Sequence, residues 1–69
     1  MSESIYKVNE LVGTSDQSWE KAAATAIQQA SKSLRDLRVA EVVQFDLTIK
    51  DGKVEAYRTR LKVSFKYET

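Results

Sequence analysis

The sequence predicts an α+β fold of the order β-α-β-β, with a three-stranded antiparallel sheet (order 1-3-2) packed on one long helix. Three observations predict it. An early stretch, "SIYKVNELV", is rich in β-branched and aromatic residues. A long middle stretch places its apolar residues three and four apart. Two later stretches alternate with a period of two on either side of an Asp-Gly pair.

The first strand is expected over residues 4–12 and ends at Gly13-Thr14-Ser15, with Gly13 and Gly52 both read as punctuation. Ser15 or Ser18 is the expected N-cap, since a serine oxygen there accepts from an unpaired N–H of the first helical turn. Asp16 and Glu20 suit the positive end of the helix dipole. "SWEKAAATAIQQASKSLRDL", residues 18–37, follows with an apolar stripe of Trp19, Ala22, Ala23, Ala26, Ile27, Ala30, Leu34 and Leu37. That spacing predicts an amphipathic helix of about five turns. Its alanine-rich stripe allows close packing, and Arg35 and Arg38 suit its C-terminal end.

"RVAEVVQFDLTIK" reads as the second strand, with Val39, Val43, Phe45, Leu47 and Ile49 on one face and Gln44, Asp46, Thr48 and Lys50 on the other. Asp51-Gly52 predicts a hairpin. The last strand puts Tyr57, Leu61, Val63, Phe65 and Tyr67 on one face and Arg58, Arg60, Lys62, Ser64 and Lys66 on the other. A two-residue loop without irregularity pairs Phe45 with Arg58, mixing apolar and basic residues. A three-residue loop with Gly52 as a bulge residue, or a bulge farther along, restores the match. The helix crossover makes strands one and two parallel to each other, so strand three is expected between them. Strands of about 13 residues span ~40 Å and outrun a ~30 Å helix. Apolar positions at the sheet end, Val39 and Phe65 among them, are left for a neighbouring subunit or a ligand.

With 69 residues, the chain is read as a single domain, 1–69, too small to bury much of its surface. It has no cysteine and no histidine, which excludes disulfides and thiolate or imidazole metal sites. Any metal would be a hard cation held by carboxylates and carbonyls. Self-association remains as the route to added stability. A net charge of +1 without a clustered basic excess argues against a nucleic-acid partner. No apolar run is long enough to span a membrane. "MSESIYKV" lacks the pattern of a secretion signal, and a cytoplasmic protein is expected.

No catalytic motif is present: there is no glycine-rich phosphate loop, no histidine to activate Ser15, Ser18 or Ser31, and no carboxylate pair set in a cleft. The chain is therefore not read as an enzyme. Glu41 shares its parity with apolar residues, and a buried carboxylate needs a partner. It either pairs with a basic residue across an interface or contacts a ligand or cation. The stripe Arg58, Arg60, Lys62 and Lys66 is either a solvated face balanced by Asp46 and Glu55 or an anion-binding surface. Trp19 reads as a core or interface anchor.

"YKVNELVGTS", "SWEKAAATAI", "LRDLRVAEVV", "DGKVEAYR" and "LKVSFKYE" stand in the order and spacing of the dodecins, which the chain resembles over nearly all its length. "ELVGTS…SWE" and "KVSFKYE" are the specific parts. The resemblance implies a three-stranded sheet wrapped on one helix and a hollow homododecamer of 23 symmetry. It also implies a store or buffer of flavin, riboflavin or FMN, held in pairs between tryptophans near a two-fold axis. The stacking tryptophan corresponds to Val39, and a glutamine that bonds the flavin edge corresponds to Arg58. Valine offers no π-face, and arginine donates hydrogen bonds but accepts none. The chain is thus expected to form the shell with weakened flavin binding. The expected pocket near the two-fold axis is lined by Val39 and Arg58, which the resemblance places there, together with Glu41 and Gln44; the alternative occupants, at Glu41 and Arg58, are ions or another small anion.

Overall fold

The computed structural model describes residues 3–66. Tyr67, assigned above to the apolar row of the last strand, lies outside them. The elements are β1 (Tyr6–Ser15), α1 (Trp19–Ala30), β2 (Leu37–Lys50) and β3 (Lys53–Lys66). The sheet order is β1-β3-β2, and β3 is antiparallel to both neighbours.

Two serines share the work of starting the helix. Ser18 is the N-cap, its Oγ accepting from the Lys21 N–H at 3.0 Å, while the Ser15 Oγ accepts from the Gln17 N–H at 3.0 Å and tightens the turn before it. The helix is shorter than predicted, 12 residues or ~18 Å. After Ala30 the bonds tighten: Lys32 N–H to the Gln29 carbonyl and Ser33 N–H to the Ala30 carbonyl. The Ser31 hydroxyl donates to the Gln28 carbonyl at 2.9 Å, a local bond of the kind that weakens a helix. Asp36 then takes a left-handed φ of 57° and turns the chain into β2. Arg35 and Arg38 consequently lie beyond the helix rather than on its last turn.

Gly13 is not punctuation. It sits buried inside β1, and a Cβ there would come 2.0 Å from the Ala22 carbonyl oxygen and 3.0 Å from the Ala26 Cβ. Glycine and the alanines Ala22, Ala26 and Ala30 let helix and strand meet backbone to backbone. Leu61 and Val63 from β3 complete the core. The helix covers β1 and β3 and leaves β2 almost bare.

The hairpin turn is the two-residue Asp51-Gly52 loop, closed by Lys50 and Lys53, with φ of 53° and 75°. Both values suit the mirror-image turn that matches strand twist, so the three-residue loop is not formed. The mismatch is absorbed farther along, the other expected solution, by register shifts at Thr48/Ile49 and at Val42/Gln44. The second shift resets the parity of β2. Phe45 and Leu47 lie opposite Thr59 and Tyr57 on the helix side, as predicted. Before the bulge, however, Ala40 and Val42 oppose Val63 and Leu61, so they face the helix and Val39 and Glu41 do not. Glu41 therefore never belonged to the apolar row.

The radius of gyration is 14.3 Å, against about 11 Å for a compact chain of this length. The accessible surface is 5362 Å², against about 4,400 Å² for a folded monomer of this mass. The excess comes from a long hairpin that outruns its helix, as expected, but the overhang lies at the Asp51-Gly52 end. Val39 and Phe65 stand at the opposite end.

Candidate functional site

The side of the sheet away from α1 carries the polar chemistry. Register places four rows across it: Val8–Ser64–Val39, Glu10–Lys62–Glu41, Val12–Arg60–Gln44 and Thr14–Arg58–Asp46. The predicted site residues Val39, Glu41, Gln44 and Arg58 all belong to this face, one in each row. They share it only because the bulge at Val43 shifts Gln44 relative to Val39 and Glu41.

The electrostatics of the face are paired. Arg58 Nε lies 2.9 Å from Asp46 Oδ1, and both atoms are shut off from solvent. Their contact is a charge contact rather than a well-aligned hydrogen bond, so the pair holds Arg58 in place at modest net gain. Arg60 lies 3.5 Å from Glu10, a partner on β1 that strand alternation alone could have flagged. Lys62 stands between Glu10 and Glu41 in its row. Of the two readings of the basic stripe, the balanced face describes Arg58 and Arg60.

Within one chain the four site residues do not converge. Val39 and Arg58 are three rows apart, ~20 Å along the strands, so one small ligand cannot touch both. Val39 is 64% exposed and stands opposite Ser64 in the strand pair. Among the described residues no three acidic side chains gather as a metal site. A pocket using these residues needs a second copy to close it.

Trp19 sits on the other side of the sheet. Its ring meets Tyr57 edge-on at 5.2 Å and Phe45 at 5.4 Å, and its indole N–H donates to the Asp46 carbonyl at 3.1 Å. The fully buried Thr59 donates its hydroxyl to the Trp19 carbonyl at 2.9 Å. These contacts make Trp19 the clasp between helix and hairpin, the anchor predicted for it.

The sequence model of the dodecin family matches residues 5–68. The chain belongs to the dodecin family. It is 48% identical over 63 residues to the calcium dodecin of Mycobacterium tuberculosis, covering 91% of this chain and 89% of that protein. The dodecin of Thermus thermophilus is 41% identical over 64 residues, 93% of each. The solved dodecin of Streptomyces coelicolor superimposes with a TM-score of 0.94 at 39% identity, covering 100% of this chain and 99% of that one. The M. tuberculosis protein, described as calcium-chelating with a novel calcium-binding site, superimposes with a TM-score of 0.84. Dodecins are small ligand-binding proteins, and the family accounts for the three-stranded sheet and single helix seen here.

Proposed function

We propose that the chain is the subunit of a homododecameric dodecin shell that binds, stores or buffers a small ligand in the seams between subunits, without catalysis. The observation that carries this reading is the uncovered apolar surface. Among the described residues eleven large apolar side chains are exposed, and they lie on both faces of the sheet. Apolar surface exposed on that scale marks interaction surfaces on each face. The ~1,000 Å² of surface above the monomer expectation matches the ~800 Å² that each partner gives to a stable interface.

The ligand by family is a flavin, held where Val39, Glu41, Gln44 and Arg58 of neighbouring copies meet. Val39 removes the stacking surface, and Asp46 already occupies the Arg58 Nε. Both weaken the flavin reading. A flavin-free shell with an ion-binding or structural role is the second reading. It is favoured by the name of the 48% identical relative, calcium dodecin, and by Glu10 and Glu41 flanking Lys62 on the open face.

Riboflavin titration followed by fluorescence quenching, run beside calcium titration of chelator-treated protein by calorimetry, tests the choice. Weak quenching with no calcium heat supports the flavin seam. Calcium heat without quenching supports the second reading, and neither signal from an assembled particle leaves a structural shell and defeats the ligand claim.

A further inference from the structure

On the outer face of β3, Arg58 and Arg60 stand two residues apart, ~7 Å along the strand. Thr14 and Asp46 share the row of Arg58, and Gln44 shares the row of Arg60. Two guanidinium groups with a hydroxyl and an amide beside them are a donor set for a phosphate or carboxylate, which arginine grips with parallel N–H groups. Each guanidinium also has an acid: Asp46 on β2 for Arg58, and Glu10 on β1 for Arg60.

The two acids are not equal. Glu10 keeps 3.5 Å from Arg60 with its side chain 48% exposed, so water screens that pair. Asp46 Oδ1 lies 2.9 Å from Arg58 Nε, and both atoms are closed to solvent. Neither atom has a hydrogen-bond partner among the described residues, so each answers the charge of the other. Asp46 is also rooted on the opposite side of the sheet, where its carbonyl accepts the Trp19 indole N–H at 3.1 Å. Opposite charges held this close nearly cancel for a third group: the pull of Arg58 on an anion is offset by the push of Asp46.

We propose that Asp46 selects ligands by charge: by cancelling Arg58 it turns phosphate-bearing ligands away from the outer face and leaves that face to ligands without a phosphate, riboflavin rather than FMN where the ligand is a flavin. The inference rests on the small-ligand reading above and adds the selectivity of that site.

Asp46→Asn tests it. The amide keeps the shape of the side chain and the backbone bond to Trp19 but removes the charge. Trp19 is the only tryptophan, so unchanged indole emission with unchanged light scattering shows that the variant folds and assembles. Riboflavin and FMN titrations, followed by flavin fluorescence quenching at one ionic strength, give the ratio of the two affinities. The parent is expected to bind FMN no more tightly than riboflavin. Asp46→Asn is expected to shift the ratio toward FMN about tenfold, the pull of one uncancelled charge. Asp46→Ser, smaller and also uncharged, is the second variant and shifts the same way. Asp46→Glu keeps the charge and the parent's ratio, and Asp46→Asn with Arg58→Gln loses the gain. A parent that prefers FMN, or a ratio unmoved in both uncharged variants, overturns the proposal. Should neither flavin be quenched by any variant, the flavin reading fails and inorganic phosphate decides the masking. Against chloride at equal ionic strength, phosphate then raises the melting temperature of Asp46→Asn and not of the parent; the absence of that difference overturns the proposal.

Discussion

Gly13→Ala is the sharpest probe of how helix and sheet meet. The added Cβ would lie 2.0 Å from the Ala22 carbonyl oxygen and 2.9 Å from its carbon, both backbone atoms. Neither can swing aside as a side-chain tip does. Helix and strand must separate by roughly 1 Å, against the dense packing that interiors maintain, and that disturbs the layer of Ala22, Ala26 and Ala30. Overpacking costs about 1–3 kcal/mol and occasionally more, and this contact belongs at the upper end. Replacing glycine in a strand returns about 0.5–1 kcal/mol of unfolded-state entropy, so strain wins and a net loss of about 2 kcal/mol is expected. Total stability for a chain of this size is about 3.5–10 kcal/mol. Urea unfolding at one fixed protein concentration measures the difference, because self-association makes stability concentration-dependent. A midpoint equal to or above the parent's would refute the close-approach argument.

Two further substitutions test other parts of the account. Thr59→Val keeps the shape of a fully buried side chain but removes the hydroxyl that donates to the Trp19 carbonyl at 2.9 Å, a carbonyl at the helix start that keeps its own helical partner; a loss of about 0.5–1.5 kcal/mol is expected, and no loss in urea titration would show that the bond adds nothing to the clasp. Val39→Trp restores a stacking surface at the exposed start of β2. At about 0.5–1.5 kcal/mol for an aromatic contact, riboflavin affinity should rise up to about tenfold. An assembled variant with unchanged quenching would remove Val39 from the pocket.

How far the sequence discloses the fold varies by element. The helix start is legible because Ser18 and the alanine spacing agree. Its end is not, because Leu34 and Leu37 keep the apolar period after the helix has stopped, and the decision falls to Ser31 and the left-handed Asp36. In β2 the period-two reading fails at Val42-Val43, since two adjacent valines hide the extra residue. That one residue explains why Glu41 looked misplaced among apolar neighbours and why Gln44 joins it on the outer face. Gly13 reads as a stop in the sequence, and only the position of Ala22 shows it to be a close approach. The residue types proposed for the site come from the family resemblance and not from a pocket, because its members are spread over some 20 Å of one chain. A meeting of these residues, as proposed above, requires copies that a single sequence does not display.

The central claim is that one chain leaves too much apolar sheet bare to persist alone. Light scattering on a sizing column at micromolar concentration tests it directly. The account predicts a particle near twelve times the 7.8 kDa chain mass, about 94 kDa. A species of one chain mass that keeps its full circular dichroism and melts cooperatively would contradict it.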